Sequence, residues 1–311
     1  MKILLLDKNH PLITEQLSEK GLVLEEDFSS SYEQVLEKIH LYEGIIIRSR
    51  IPLDAHFLEK AKNLKFIARV GAGMENIDIA KAQELGIKLI NSPEGNKDAV
   101  AEHVIGTLLV LMNRLFISSN EVKKGIWLRE ENRGEEILGK TFGIIGYGNM
   151  GKAVAKRLSG FGCKTIFYDI KPNLSDEFAT QVSLQELQEN ADILSLHTPL
   201  TEDTLYMIDE EFISKMKKNF YFVNTARGKN LKTSALVNAL KSDKIKGACL
   251  DVLEYEKTSF ENLETKNEDL EYLLNSEKAI ITPHIAGWTH ESKIKLAQVI
   301  VDKILAFTAE N

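Results

Sequence analysis

Short, nearly continuous apolar runs alternate along this chain with stretches in which apolar side chains recur every three or four positions. Before Pro93 the runs are Ile3–Asp7, Leu22–Glu25, Gly44–Arg48, Phe66–Gly71 and Lys88–Asn91, and they predict strands. Amphipathic patterns lie between them, such as Leu12 with Leu17, and Val35 and Leu36 with Ile39. Strict alternation of the two signals predicts a parallel sheet with helices on both faces. A second series starts at Thr141, with strands expected at Phe142–Gly146, Thr165–Asp169, Ile193–His197, Tyr221–Asn224, Ala248–Val252 and Ile280–Thr282. Between the two series, Asn96 to Gly125 is apolar nearly all round, through Val100, Val104, Ile105, Leu108, Leu111, Met112, Leu115 and Phe116. One long helix buried on more than one side is expected there. Glu291 to Phe307 carries Ile294, Ala297, Ile300, Val301, Ile304 and Leu305 on one broad face, a helix expected to return to the first domain. Residues 253–278 break the alternation; they are rich in Glu and Asn, with one helical fragment at Leu270–Leu274.

The 311 residues suffice for two domains, each with its own core. Hydrophobic content of 43% and charged content of 27% are ordinary for a soluble globular protein. A formal net charge of −7 argues against nucleic acid or an anionic membrane surface as the main partner. Cys163 and Cys249 both lie in apolar strand-like runs and are expected as buried free thiols. The apolar part of Met1–Asp7 is too short for a signal peptide, and no run approaches membrane-spanning length. A cytoplasmic enzyme is expected.

The strand signal ending at Gly146 opens into Gly146-Tyr-Gly148-Asn-Met-Gly151. A helical face follows through Val154, Ala155, Leu158 and Phe161, and a second strand ends at Asp169. In such a unit the first glycine allows a tight turn and the second lets the backbone approach a pyrophosphate. The third lets helix and strand pack closely, while the helix N-terminus offers free N–H groups to the phosphates. A carboxylate about 20 residues on accepts from the ribose hydroxyls and repels a 2′-phosphate. The whole unit predicts a dinucleotide site taking NAD rather than NADP, against the plainer alternative of an ordinary βα turn; Lys171 would soften the exclusion.

Three polar islands stand at other strand ends of the second series: Asn224-Thr-Ala-Arg227-Gly228, Asp251-Val-Leu-Glu254-Tyr-Glu256 and Thr282-Pro-His284-Ile-Ala-Gly287. Open α/β sheets bind ligands at the carboxyl ends of their strands. An Arg there suits a bidentate carboxylate clamp, and a His with a carboxylate partner suits general acid/base work near neutral pH.

These motifs resemble the D-isomer-specific 2-hydroxyacid dehydrogenases over essentially the whole chain. Arg69-Val-Gly-Ala-Gly-Met-Glu-Asn-Ile-Asp78, His197-Thr-Pro-Leu200, Asp251-Val-x-Glu-x-Glu256 and Pro283-His284-x-x-Gly287 join the glycine loop in carrying the resemblance. It implies an α/β fold of two doubly wound parallel-sheet domains. A Rossmann NAD-binding domain, residues 96–287, would be inserted in a flavodoxin-like substrate domain, residues 1–95 and 288–311. It implies Arg227, Glu256 (rather than Glu254) and His284 as catalytic residues. Cofactor contacts would fall on Gly146, Gly148, Asn149, Met150, Gly151, Asp169, Thr198, Thr225, Asp251 and Gly287, with no metal site. The branch acting on 3-phospho-D-glycerate, the entry to L-serine synthesis, is most similar. It points to Arg48, Ser49, Arg69, Gly71, Ala72, Gly73 and Arg129 for the small-molecule substrate, with a homodimer formed through the 96–125 helix. Two departures stand out: Lys257 follows Glu256 where the family has Pro, and the segment from there to His284 is longer and more acidic than usual. The chain ends after the returning helix, so no appended regulatory domain is expected. A glyoxylate or hydroxypyruvate reductase is the nearest alternative, and an NAD(H)-sensing co-repressor-like protein the alternative from another class.

Overall fold

The computed structural model describes residues 1–256 and 267–310. The chain divides into two compact units, Met1–Lys97 with the C-terminal segment from Trp288, and Asp98–Gly287.

In the first unit the strands are β1 (Lys2–Leu5), β2 (Val23–Glu26), β3 (Gly44–Ile47), β4 (Phe66–Arg69) and β5 (Lys88–Asn91). All pairings are parallel, in the order β2-β1-β3-β4-β5, the flavodoxin-like winding. Successive side chains of a strand point to opposite faces. Leu4, Ile45, Ile47 and Ile67 therefore meet Val35, Phe57 and Leu58 on one side, while Ile3, Leu5, Ile46, Phe66 and Ala68 meet Leu17 on the other. Burial of both faces is why these strands read as continuous apolar runs rather than alternating ones. The second face is completed by helix His290–Glu310, whose Leu296, Ala297, Ile300, Val301 and Ile304 are buried there. That helix crosses the first turn of helix Pro93–Met112 so closely that a Cβ on Gly95 would lie 2.6 Å from the Leu296 Cα.

The second unit contains β6 (Thr141–Ile145), β7 (Lys164–Tyr168), β8 (Thr180–Gln181), β9 (Ile193–Leu196), β10 (Phe220–Asn224), β11 (Ile245–Leu250) and β12 (Ala279–Ile281). They form one parallel sheet in the order β12-β11-β10-β9-β6-β7-β8, the Rossmann order with one strand added at the β12 edge. The winding reverses at β6, which pairs with both β7 and β9. The two-residue strand β8 is too short and polar to have left a hydrophobic signal.

The long helix expected over 96–125 is two helices, Pro93–Met112 and Leu115–Lys123, bent by 58°. Arg114 sits between them with φ 51, in the left-handed region. The cause lies twenty residues downstream: Glu135 N–H donates to the Met112 carbonyl at 2.9 Å, and Gly134 presses on Asn113. The expectation of burial on several sides holds for Val100, Val104, Leu108 and Met112 and fails after the bend. There Leu115, Phe116 and Val122 are each more than half exposed, and Trp127 is 81% exposed. Cys249 is buried, its thiol pushed up to about 12, but Cys163 is only partly buried, because it precedes β7 rather than lying in it. No single helix among the described residues is long and apolar enough to cross a membrane. Of the 253–278 excursion, residues 257–266, including Lys257, lie outside the described residues; helix Glu268–Asn275 follows them, with Glu268, Asp269 and Glu271 in its first turn.

Candidate active site

Because every strand of the second sheet is parallel, the residues that follow each strand gather along one edge. Gly146, Asp169, His197 and Thr198, Thr225 to Arg227, Asp251, and Thr282 to His284 all stand in that row. At the switch point Gly146 has φ 91, and its N–H donates to the Tyr168 carbonyl at 2.9 Å. A Cβ on Gly151 would lie 2.2 Å from the Gly146 carbonyl oxygen, so the helix Asn149–Leu158 packs on the turn without room for a methyl group. Gly148, in contrast, faces open space. Asp169 accepts from Tyr147 N–H at 2.7 Å and from Lys171 N–H at 2.9 Å, which fixes its carboxylate beside the turn. The Tyr147 ring stacks on Phe167 at 3.7 Å and its hydroxyl donates to Asp176 at 2.8 Å.

Two buried polar atoms along this edge, His197 Nδ1 and Thr225 Oγ1, have no hydrogen-bond partner among the described residues. His197 Nε2 meets Ser195 Oγ at 2.9 Å, and burial holds its imidazole down at a pKa of about 4, so it is neutral at pH 7. An open glycine step, an oriented carboxylate and orphaned polar atoms in one row fit a dinucleotide. Thr198 Oγ1 faces Met207 Sδ at 3.9 Å, Asn149 and Met150 open the helix, and Gly287 lies just past the last turn of the row.

The residues of acid/base type come together at the β11–β12 end. His284 Nδ1 lies 2.8 Å from Glu256 Oε2. A carboxylate opposite Nδ1 makes that nitrogen the donor, so that Nε2 is the ring nitrogen a substrate proton would meet. Leu253 N–H donates to the other Glu256 oxygen, which locks the carboxylate. Glu254 is turned elsewhere: it accepts from Thr233 N–H at 3.0 Å, at the start of helix Thr233–Lys241. His284 has φ 55, a conformation that costs a residue with a Cβ about 1–2 kcal/mol. Asp251, 2% exposed, supports it. Its carboxylate accepts from Thr282 Oγ1 at 2.6 Å and from the N–H groups of Ile285 and Ala286 at 2.8 Å each, while its carbonyl accepts from His284 N–H at 2.9 Å. Three hydrogen bonds from the protein thus converge on the carboxylate expected to touch the cofactor. Arg227 follows β10 at the same edge, its carbonyl held by Asn224 Nδ2 at 3.0 Å and its Nη1 donating to Ala226 O at 2.6 Å. Its neighbour Gly228 is pressed on the Leu253 carbonyl, where a Cβ would come within 2.0 Å.

The remaining sequence-derived residues belong to the first unit, except Arg129. Arg48 N–H donates to Asp7 at 2.6 Å, and its guanidinium lies 4.4 Å from the centre of the exposed Trp288 ring. Ser49 follows it in the loop after β3. Arg69 Nε donates to the Arg48 carbonyl at 3.2 Å, and its side chain folds across Gly71, whose φ is 151. Ser92 Oγ accepts from Gly71 N–H at 3.0 Å and Asn91 Nδ2 donates to Ala72 O at 2.7 Å, which shapes the loop continuing through Gly73. Arg129 is exposed, beside Trp127 and Leu128 at a surface depression of about 340 Å³. Sequence reasoning missed His103, which reaches Thr282 from helix Pro93–Met112 at 3.1 Å; a single His within a helix gives no signal of that contact.

Residues 105–286 match the family described as D-isomer specific 2-hydroxyacid dehydrogenase, NAD binding domain. A hydroxypyruvate reductase of Thermotoga maritima is 38% identical over 88% of this chain and 87% of its own length. A D-3-phosphoglycerate dehydrogenase of Archaeoglobus fulgidus is 34% identical over 98% of this chain, which spans only 57% of that longer protein. Among solved structures, D-lactate dehydrogenase from Aquifex aeolicus, complexed with NAD and lactic acid, superposes with a TM-score of 0.84 at 32% identity, covering 100% of this chain and 96% of its own.

Proposed function

The chain belongs to the D-isomer-specific 2-hydroxyacid dehydrogenase family and its second unit carries the family's NAD-binding domain, and from that premise we propose that Arg227, Glu256 and His284 carry hydride-coupled oxidation of a D-2-hydroxy acid. The observation that carries this reading is the 2.8 Å contact of His284 Nδ1 with Glu256, on the strand-end row that also holds the glycine turn. When bound, NAD supplies a nicotinamide ring that accepts or returns hydride. His284 Nε2 takes the proton from the C2 hydroxyl as hydride leaves C2, and returns it in reduction. Glu256 holds the Nδ1 proton and offsets the imidazolium charge that results. Arg227 clamps the substrate carboxylate and polarises the C2 oxygen. On the cofactor side, Asp169 accepts from the ribose hydroxyls, the first turn of helix Asn149–Leu158 receives the pyrophosphate, and Thr198, Thr225 and Gly287 complete the contacts.

The substrate we favour is 3-phospho-D-glycerate, with Arg48 and Arg69 as the cations for its phosphate and Arg129 as a further contact. Two neighbouring arginines at the ends of β3 and β4, linked by the 3.2 Å bond from Arg69 to the Arg48 carbonyl, support it. So does the likeness to phosphoglycerate dehydrogenases over nearly the whole chain. Reduction of hydroxypyruvate or glyoxylate is the second reading, favoured by the reductase that matches along most of its length and by the stacking of Arg48 on Trp288. A homodimer is part of the proposal: Leu115, Phe116, Val122 and Trp127 form the exposed apolar surface a second copy would cover. Following NADH absorbance against hydroxypyruvate, glyoxylate, pyruvate and 3-phosphohydroxypyruvate tests all of this. Preference for the phosphorylated acid, lost in Arg48→Ala and Arg69→Ala, supports phosphoglycerate. Preference for an unphosphorylated acid moves the assignment to the reductases, and absence of turnover throughout sinks the enzyme reading in favour of a dinucleotide sensor.

A further inference from the structure

His103 lies in the middle of helix Pro93–Met112, outside every motif of the strand-end row. Its Nε2 is 3.1 Å from Thr282 Oγ1 and 3.7 Å from Asp251 Oδ1. The Thr282 hydroxyl has one proton, and at 2.6 Å that proton goes to Asp251. The hydroxyl oxygen must then accept from His103, so Nε2 carries the proton and the tautomer is fixed. The result is a directed chain, His103 Nε2–H to Thr282 Oγ to Asp251 Oδ1. Asp251 in turn takes the N–H groups of Ile285 and Ala286, and its carbonyl takes that of His284. The turn from Thr282 to Ala286 is thus wrapped around one buried carboxylate. His284 is the residue of that turn with a left-handed backbone.

We propose that His103 is a positioning residue for the reaction: through Thr282 and Asp251 it holds the His284 turn in the conformation that aims Nε2 at the substrate. The inference rests on the reading of His284 as the acid/base. Asp251 supplies most of the acceptors for the turn, the Thr282 carbonyl also accepting from His284 N–H at 2.9 Å; what His103 adds is direction. Without its N–H the Thr282 hydroxyl loses its donor, and the bond that orients it towards the buried carboxylate is gone. A helix far away in sequence thereby fixes the orientation of a turn that no regular structure holds.

The test uses the full-length protein with NADH and whichever of hydroxypyruvate, glyoxylate and 3-phosphohydroxypyruvate it reduces fastest. His103→Leu should lower kcat roughly ten- to a hundredfold, the range a misaimed catalytic group commonly costs. The KM for NADH should stay near wild type, and the deuterium isotope effect on kcat should rise as hydride transfer becomes the slow step. His103→Gln, whose amide N–H reaches the same hydroxyl, should recover most of the rate. Thr282→Val cuts the same chain with little change of shape, so it carries the test if His103→Leu fails to fold. The double variant should be no slower than Thr282→Val alone, since both changes remove one connected element. Losses that multiply, or a His103→Leu enzyme with wild-type kcat, overturn the positioning role. His284→Ala is the control: if it keeps full turnover, the acid/base reading fails and takes this proposal with it. If it is crippled while His103→Leu is not, only the positioning role falls.

Discussion

Acidification should destabilise the second unit through a residue that is not proposed to react. His197 is held neutral by burial, its pKa lowered from the ordinary 6.5 to about 4. In the unfolded chain the same imidazole gains a proton near pH 6.5. Below that pH the unfolded state binds a proton that the folded state refuses, so stability falls as pH drops from about 6.5 to about 4 and levels off below. At 1.36 kcal/mol per unit the ceiling is about 3 kcal/mol; His197 keeps some solvent-facing surface, so the working figure is about 2 kcal/mol. The perturbation that isolates it is His197→Leu. That variant leaves Ser195 Oγ without its 2.9 Å partner, a pH-independent cost of about 1 kcal/mol. It also removes the titration. Urea unfolding followed by circular dichroism at pH 7, 6, 5 and 4 should show the wild type losing about 2 kcal/mol more than the variant over that range, so that a wild type ahead by about 1 kcal/mol at pH 7 falls behind by about as much at pH 4 and the two curves cross. Carboxylates titrate alike in both proteins and cancel. Parallel curves would show that the folded protein admits a charged His197, and the account of its neutral burial would be wrong.

The glycine loop separates packing from ligand approach. Gly151→Ala, whose Cβ meets backbone at 2.2 Å, should lower the melting temperature of the cofactor-free protein; Gly148→Ala, with open space around it, should leave that temperature unchanged and weaken NADH binding in a fluorescence titration. Replacing Asp169 by Ala should reduce the kcat/KM preference for NAD over NADP about tenfold or more, since a like-charge contact with the 2′-phosphate disappears. Glu256→Gln should lower kcat by roughly a hundredfold or more with little loss of stability, whereas Glu254→Gln should keep its kcat and cost about 1 kcal/mol in denaturant, because that carboxylate holds the first N–H of helix Thr233–Lys241.

Strands were easier to locate from sequence than contacts. Runs such as Gly44–Ile47 and Phe220–Asn224 are buried on both faces, so nearly every residue advertises the strand. The glycine loop and Asp169 were legible because the turn demands particular residue types at fixed offsets from one strand. The break at Arg114 was not, because its cause, the Glu135 N–H on the Met112 carbonyl, comes from a segment that local periodicity never sees. For the same reason the row of polar residues after the strands was visible as a set of candidates, while the choice of Glu256 over Glu254 came from the family resemblance and not from local pattern. Both acids follow the same strand, and only the tertiary partners, Thr233 N–H for one and His284 for the other, tell them apart. His103 left no trace at all, since its partner Thr282 is remote in sequence.

The helix His290–Glu310 has a consequence for how this protein is made. Its Ile300, Val301 and Ile304 are completely buried against strands formed from the opening residues of the chain. On the ribosome, β1 to β5 emerge long before that helix and must wait with one face of their sheet covered only in part, by the helix Leu12–Glu19. All of Asp98–Gly287 is synthesised in the interval, and it is a compact unit of its own with its own sheet and core, so it can fold while its host is still incomplete. The order of completion is therefore inverted relative to the order of translation. During that wait the part of the face over β4 and β5, with Phe66 in it, lacks its cover, the surface a chaperone would be expected to shield.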